Sequence, residues 1–347
     1  MDAINNPDVK SLDKNNIVAW DKFVLDCQQA TFFHRAGWQQ VIERSFGHNT
    51  HYLYAESNGE IQGVLPLVHV KSRLFGNTLS STPFCVYGGI VATTELARIA
   101  LENAACQLAE KLGVDSLEMR NRHVVNADWP AKDLYVTFRK TLDADPEVNL
   151  NNVPRKQRAM IRKGIKAGLR GEIDSDITRV YDAYSESVHN LGTPVFPKKY
   201  FEILKQVFAD DCEPLVITSG DGRLIGGVLS FYFRNEVLPY YGGGTSEARN
   251  VKGNDFMYWE LMRRASERGI QVFDYGRSKI GTGSYSFKKN WGFEPEPLSY
   301  EYFLVKADKV PDINPLNPKY RLFISAWKKL PLSVTRVLGP MLAKDLG

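Results

Sequence analysis

The most informative segment of the chain, residues 273–293, reads FDYGRSKIGTGSYSFKKNWGF. It begins as a short apolar strand that ends in Asp274 and continues as a glycine-bearing loop. Such a loop exposes backbone N–H groups at the carboxyl edge of a sheet, where open α/β sheets bind ligands. The aromatic residues that follow can anchor the loop while a lysine projects into a cleft. The same spacing is equally compatible with a tight loop, solvated lysines and a buried aromatic cluster.

This segment closes the second of two halves that repeat one order of signals. Each half has a strand, a hairpin turn (Asn58-Gly59 or Asp221-Gly222) and a second strand. An apolar strand ending in Tyr-Gly-Gly follows at Tyr87 or Tyr241, and the matched landmarks lie 154 to 163 residues apart. The near-constant offset indicates an internal duplication.

A helix and a short strand complete each half. The helices are expected at 95–112 and 255–268, ending before Gly113 and Gly269. Strand–hairpin–strand–helix–strand predicts an α/β fold with a mixed (α+β) sheet in each half. We place the two domains at residues 1–145 and 146–308, joined by an Asp/Asn/Pro-rich linker at 143–152, with a basic amphipathic tail at 309–347.

Composition and missing signatures exclude several classes. The chain has 347 residues, 43% of them hydrophobic, and 44 Lys+Arg against 40 Asp+Glu, as expected of a globular protein with two domains. Its polar start carries no export signal, so we expect a cytoplasmic protein. The sequence has no CxxC pair, HExxH, GxxxxGK[ST] or GxSxG, which argues against metal, P-loop and triad chemistry.

Three motifs resemble the Fem family of aminoacyltransferases and its GNAT-like relatives. They are the Phe-Asp-Tyr-Gly-Arg-Ser … Phe-Lys-Lys-x-Trp-Gly-Phe run, Phe33–Trp38 ahead of a helix, and Pro154–Arg158 opening a basic helix. The resemblance spans roughly residues 15–305 and is closest to the subgroup found with exopolysaccharide and exosortase (PEP-CTERM) loci. It implies two tandem GNAT-like acyltransferase domains, in agreement with the duplication.

The resemblance also implies a reaction. An aminoacyl group would pass from aminoacyl-tRNA to an amine on a cell-wall (peptidoglycan) or surface-polysaccharide precursor, with no tightly bound cofactor and no metal. The family's lysine falls on Lys288, which would stabilise the oxyanion or the leaving group. The residues expected to bind substrate are Asp274, Tyr275, Gly276, Arg277, Tyr285, Phe287, Trp38 and Tyr241.

Departures from the family pattern leave the substrates open. The two basic positions that hold nucleotide phosphates in peptidoglycan-type members fall on Gln40 and on Val195 or Phe196. The alternative donor is acyl-CoA, but the matching phosphate-binding run, Asn250–Asp255, departs from the usual Q/R-x-x-G-x-G/A and ends in an acid that would repel phosphate. A second alternative is a non-catalytic protein that binds glycan or tRNA.

Two basic segments suggest macromolecular contacts. A helix from 155 to 170 has an apolar stripe and a basic face for tRNA phosphates, made by Arg155, Lys156, Arg158, Arg162 and Lys163. A merely solvated face fits the same pattern. The tail at 315–347 interleaves cations with apolar residues, so it fits both peripheral contact with the inner face of a membrane and docking on the protein's own body. The sequence does not set the oligomeric state.

Overall fold

The computed structural model describes residues 6–72, 76–311 and 318–345, and it divides the chain into two compact units. Within the described residues, the first unit takes residues 6–135, 297–311 and 344–345, and the second takes 136–296 and 318–343. The strands are β1 (Asp8–Ser11), β2 (Asn49–Ser57), β3 (Glu60–Ser72), β4 (Gly76–Ser81), β5 (Val91–Ala92), β6 (Ser116–Asn121), β7 (Ala131–Lys132), β8 (Tyr135–Thr141), β9 (Arg170–Ile173), β10 (Cys212–Thr218), β11 (Leu224–Phe233), β12 (Glu236–Gly244), β13 (Val272–Asp274), β14 (Ser278–Lys279), β15 (Pro295–Pro297) and β16 (Ser299–Leu304).

The helices connect these strands. They are α1 (Ile17–Asp26), α2 (Gly37–Phe46), α3 (Glu95–Leu112), α4 (Pro146–Asn152), α5 (Arg155–Lys166), α6 (Thr178–Leu191), α7 (Lys198–Phe208), α8 (Ala248–Val251), α9 (Gly253–Glu267), α10 (Gly283–Asn290), α11 (Pro318–Trp327) and α12 (Leu332–Ala343), with short 3₁₀ helices at Phe32–His34 and Ala209–Asp211. No helix in the described part of the chain combines the length and the apolar character that crossing a bilayer requires.

The sheet of the first unit has the order β1-β2-β3-β4-β6-β16-β7, with β5 beside β3. Strand β6 lies parallel to β4 because α3 carries the chain back between them. Thr94 caps the start of α3 and left-handed Gly113 ends it, so the predicted bounds of this helix are confirmed. Alanines on one face of α3 pack on the sheet in a fully buried core.

The second unit repeats this plan. Its sheet has the order β14-β8-β13-β12-β11-β10-β9, with β15 beside β8, and β13 lies parallel to β12 after the crossover helix α9. In each sheet, therefore, an antiparallel hairpin leads to a parallel strand through one helix. This agreement of topology confirms the predicted mixed α/β fold with two similar units.

The predicted domain boundaries differ from the observed units. Strand β8 follows the first unit in sequence but pairs with β13 of the second sheet, and β16 follows the second unit but pairs with β6 of the first. Each sheet thus receives its next strand from the other end of the chain. Neither 1–145 nor 146–308 matches a unit, and 309–347 is not a separate domain, since residues 318–343 belong to the second unit.

Three local expectations also need correction. The expected linker at 143–152 contains helix α4, because the Asp145 side chain caps it and Pro146 occupies its first turn. Tyr87 lies in the loop after β4 rather than in a strand, since Thr82 and Phe84 adopt left-handed backbone angles and break the ladder. The basic helix ends at Lys166, so Arg170 lies in β9.

Candidate active site

Two parallel strands of the second unit open a wedge at the predicted site. β12 and β13 pair only at Glu236 with Val272 and at Val237 with Phe273. Beyond this point β12 continues to Gly244, whereas the chain after Asp274 turns towards β8, where the Tyr275 N–H donates to the Phe138 carbonyl (2.8 Å). The opening lies at the carboxyl ends of both strands, the position where such sheets bind ligands.

A bulge in β12 shapes one side of the wedge. Leu229 of β11 pairs with Tyr241, but its neighbour Ser230 pairs with Pro239, which leaves Tyr240 as an extra residue. A bulge of this kind re-aims backbone groups and is common beside active sites. Sequence reasoning missed it, because an irregular register leaves no pattern in the residue types.

Asp274 sets the turn on the other side of the wedge. Its side chain is fully buried, accepts a hydrogen bond from the Gly276 N–H (2.7 Å) and lies 3.2 Å from Nε of Arg139. Gly276 has a φ of +64°, the left-handed region that glycine adopts without strain. The buried Asp274 carboxylate therefore fixes the loop after β13 through its bond to Gly276.

Lys288 lies on α10, under the same loop. Its side chain is buried, and Nζ donates to the carbonyls of Tyr275 (2.7 Å), Gly276 (2.9 Å) and Arg277 (3.1 Å). All three N–H groups of the ammonium are therefore used within the protein. Burial lowers the pKa of Lys288 to about 7, Asp274 opposes this change and Arg277 adds to it.

An aromatic cluster surrounds these two residues. The Tyr275 ring contacts the rings of Tyr258, Phe287 and Trp291, and the Tyr285 ring contacts Phe138. The hydroxyl of Tyr275 is buried and has no hydrogen-bond partner in the described structure. The predicted residues Asp274, Tyr275, Gly276, Arg277, Tyr285, Phe287 and Lys288 are thus close together, and Tyr258 is a member that the sequence did not reveal.

Two predicted substrate-binding residues make contacts outside this cluster. Tyr241 is buried against helices α6 and α7, where its hydroxyl is 2.8 Å from that of Tyr200 and its ring contacts Tyr184. Trp38 is a core residue of the first unit, fully buried against Phe32 and Phe33. The described contacts of both are with the protein's own interior.

The basic face of α5 is solvent-exposed and lies beside the start of α9. Arg158 donates to the Asn151 carbonyl (2.8 Å), but among the described residues no carboxylate forms an ion pair with the cations of this face. A groove of about 360 Å³ runs along it, lined by Arg155, Arg158, Ala159, Arg162, Lys163 and Lys166. Lys156 is exposed on the same helix. Of the predicted stripe, Ile161 is buried but Ile165 is half exposed.

A buried hydrogen-bond network fixes α5 against α9. The Gln157 amide donates to the Asp255 carboxylate (2.8 Å), which also accepts from the indole of Trp291 (3.3 Å). Gly164 allows the two helices to approach, since a Cβ there would lie 2.7 Å from the Cβ of Phe256. Burial raises the pKa of Asp255, while its two hydrogen bonds lower it. The carboxylate thus faces the interior, contrary to the expectation that it would repel a phosphate at the helix start.

The first unit holds a cavity that the sequence did not indicate. Its volume is about 280 Å³, and it is lined by Gln29, Thr31, His34, Tyr87, Gly88, Gly89, Ile90, Val91, Arg120, Asn121, Arg122, His123 and Val125. The His34 ring lies 2.9 Å from the Gly89 carbonyl and also contacts Thr31. The motif Tyr87-Gly88-Gly89, which matches Tyr241-Gly242-Gly243 in the second half, lines this cavity and was a sequence signal that could have indicated it.

A known protein family matches the segment that carries the wedge. The family model described as "Acetyltransferase (GNAT) domain" matches residues 155–289, the segment from the basic helix to α10. This segment is therefore similar to a GNAT acetyltransferase domain. The matched segment includes the start of α9, the loop after β13 and Lys288. No group of three His, Cys, Asp or Glu side chains in the described ranges could hold a metal ion.

Relatives extend the comparison beyond the GNAT domain. A lipid II:glycine glycyltransferase of Staphylococcus haemolyticus is 26% identical over 90 residues, which is 24% of this chain and 22% of that protein. This chain thus matches about a fifth of its curated relative. The crystal structure of FemX superposes with a TM-score of 0.66 at 15% identity, covering 91% of this chain and all of FemX. A tandem GNAT protein from the clavulanic acid pathway gives 0.52 at 13%, covering 85% and 97%. The chain therefore has two tandem GNAT-like units.

Proposed function

We propose that this protein is an aminoacyltransferase, which moves an aminoacyl group from aminoacyl-tRNA onto an amine of a cell-wall or surface-glycan precursor. The observation that carries the proposal is the exposed basic face of α5, which no described carboxylate neutralises, beside the first turn of α9. Backbone N–H groups at a helix start attract phosphate, and exposed cations add a sequence-independent attraction to an RNA backbone. A polyanion much longer than a nucleotide fits such an extended face.

The acceptor class rests on the curated relative. The similarity to a lipid II:glycine glycyltransferase supports an amine of a lipid-linked precursor as acceptor, with the reaction on the cytoplasmic side where aminoacyl-tRNA is made. Membership of the exopolysaccharide-associated (PEP-CTERM) subgroup, which the sequence motifs suggest, remains part of the proposal. A different carrier-linked sugar is the alternative within the same class.

For Lys288 we propose a role that is consistent with its hydrogen bonds to the loop. An ammonium near the wedge would stabilise the negative charge that develops in acyl transfer. Because its three N–H groups bind the carbonyls of residues 275–277, such a contact requires the exchange of one of these bonds. We therefore propose that Lys288 holds the loop in the ground state and donates to the oxyanion when substrate displaces a carbonyl.

Acyl-CoA is the second candidate donor. The specific observation in its favour is the inward position of the Asp255 carboxylate, which leaves the start of α9 without the exposed acid expected from the sequence. A pyrophosphate at the N–H groups of residues 253–255 would then meet no opposing charge from this residue.

The deciding experiment uses labelled amino acids on a charged tRNA pool together with lipid-linked glycan extracts. We expect label to reach the glycan fraction and this transfer to disappear after ribonuclease pretreatment. Transfer that survives ribonuclease and requires acyl-CoA would instead establish the second donor. Absence of transfer from either donor would favour a non-catalytic binding protein.

The variants Lys288→Ala and Lys289→Ala form a matched pair on α10, since Lys289 is exposed and one residue away. We expect the first to lose most turnover, at least about tenfold, and the second to retain it. Equal turnover in both variants would remove Lys288 from the reaction.

A further inference from the structure

Helix α12 presents its large apolar side chains to solvent, and the neighbouring helix α11 adds the partly exposed ring of Phe323. On α12 the side chains of Val337 and Met341 are 68% and 67% exposed, and Leu338 and Val334 are partly exposed. Soluble monomers rarely leave such side chains together on one helix face without a partner.

The other face of α12 explains this orientation. Thr335, Gly339 and Ala343 recur every four residues and are buried. Gly339 packs so closely that a Cβ there would lie 2.8 Å from the backbone N of Val195. The small residues therefore face the protein, which directs the large apolar residues outwards.

Polar bonds fix the same orientation. The Arg336 guanidinium donates to the Asp182 carboxylate (2.8 Å) and to the Ser185 hydroxyl (2.7 Å) on α6, and Thr335 Oγ1 lies 3.3 Å from the His189 ring. A rotation of α12 that buried its large side chains would break these bonds. The outward apolar face is thus a stable feature of the fold.

A groove continues this face onto α11. It has a volume of about 410 Å³ and only apolar residues line it: Phe323, Ala326, Trp327, Leu330, Leu338, Met341 and Leu342. The rings of Phe323 and Trp327 stack at 5.4 Å. Aromatic and aliphatic side chains of this kind suit the boundary between headgroups and acyl chains.

The charge of the segment indicates which surface covers it. Residues 318–344 contain six cations and no acid: Lys319, Arg321, Lys328, Lys329, Arg336 and Lys344. Lys328 and Lys329 are exposed at the turn between the helices, next to the groove. An apolar face with a cationic border complements an anionic bilayer surface. A second copy of the chain would instead bring two cationic borders together.

We propose that the face formed by α11 and α12, with Lys328 and Lys329 beside it, is a docking surface for a bilayer that contains anionic lipids. Its apolar residues enter the headgroup region, and its lysines contact the lipid phosphates. The helices lie on the membrane and do not cross it. This inference depends on the tail alone and stands whichever acyl donor the GNAT domain uses.

Vesicle flotation of the full chain tests the proposal. We expect the protein to float with phosphatidylcholine vesicles that contain phosphatidylglycerol, and to float less with pure phosphatidylcholine or at high salt. The double variant Val337→Ser/Met341→Ser should bind about tenfold more weakly, because two inserted side chains are removed. Its matched control is Val18→Ser/Val124→Ser, which changes two apolar residues of the first unit that are at least as exposed.

The lysines provide an independent arm. Lys328→Gln/Lys329→Gln should lose the preference for anionic vesicles, while Lys14→Gln/Lys111→Gln, an exposed pair outside the tail, should keep it. Wild-type protein that stays with neither vesicle type would overturn the proposal, as would equal flotation of all variants. A wild-type dimer that Val337→Ser/Met341→Ser converts to a monomer would assign the face to a second copy instead.

Discussion

At the scale of single residues, Lys288 shows how burial changes the chemistry of a side chain. The sequence predicted a lysine that projects into a cleft, but could not reveal that the carbonyls of residues 275–277 would surround it. Three carbonyl acceptors favour the charged form, whereas removal from water favours the neutral one. With a pKa of about 7, the group changes its protonation within the physiological range.

This balance predicts a pH-dependent stability. The folded-state pKa of Lys288 lies below the ordinary value of 10.5, so between about pH 7 and 10.5 the unfolded chain binds more protons than the folded chain. The free energy of unfolding should therefore rise with pH in this window and decline as the pH falls towards 7. In urea unfolding, the free energy of unfolding of the wild type minus that of Lys288→Met should become more positive as the pH rises.

The exposed neighbour supplies the control for this measurement, since Lys289→Met should leave the slope of the wild type unchanged. A constant difference between the wild type and Lys288→Met would mean that the ammonium stays charged up to the pH at which the chain unfolds. In that case the carbonyl contacts outweigh burial.

A second prediction at this scale concerns Asp274. Asp274→Asn keeps the size of the side chain but removes the charge that faces Arg139 and weakens the bond to the Gly276 N–H. We expect the free energy of unfolding to fall by about 2 kcal/mol, since a buried hydrogen bond to a charged group is weakened. Glu236→Gln removes the other, more exposed carboxylate partner of Arg139 and should cost less than about 1 kcal/mol. Equal losses in urea unfolding would show that burial does not distinguish the two carboxylates.

At the scale of elements, local sequence patterns predicted the bounds of some helices but not the contacts between distant side chains. The cap and the terminal glycine of α3 lie in the sequence, so its bounds could be predicted to the residue. The polar composition of residues 143–152 suggested a linker, but the segment contains a helix because Asp145 caps it and Pro146 starts its first turn. The hydrogen bonds of Gln157 and Trp291 to Asp255 could not be predicted, since the three residues are far apart in sequence.

The basic helix α5 carries the prediction at this scale. Arg162→Gln/Lys163→Gln removes two exposed cations from the groove without touching Gln157, which anchors the helix. We expect weaker tRNA binding and a salt dependence whose logarithmic slope falls by about one per lost phosphate contact. Lys14→Gln/Lys111→Gln removes the same charge elsewhere and serves as control. An unchanged slope in filter binding over several salt concentrations would make the face of α5 a merely solvated surface.

At the scale of the whole molecule, the duplication could be predicted and the exchange of strands could not. Matched turns, glycines and helices at near-constant offsets indicate two similar units, and both sheets have this topology. Strand β8 carries no mark in its sequence that assigns it to the second sheet. β8 belongs to the second sheet because it pairs with β13 and because the Phe138 ring is buried there. Both interactions join residues that are far apart in sequence.

The exchange leads to a prediction about fragments. A fragment of residues 136–296 contains β8 except Tyr135, whereas residues 146–296 lack it and leave β13 without its antiparallel neighbour. Both fragments lack α11 and α12, so they differ only at β8 and the residues up to 145. The shorter fragment also loses Phe138 and Val136 from the core of the second unit. Loss of a buried phenylalanine alone costs about 3–5 kcal/mol, comparable to the whole stability of a marginal domain. We expect cooperative thermal unfolding, followed by circular dichroism, for the longer fragment only. Cooperative unfolding of both fragments would mean that β8 adds little to the second sheet, and that the expected boundary near residue 145 describes an autonomous folding unit after all.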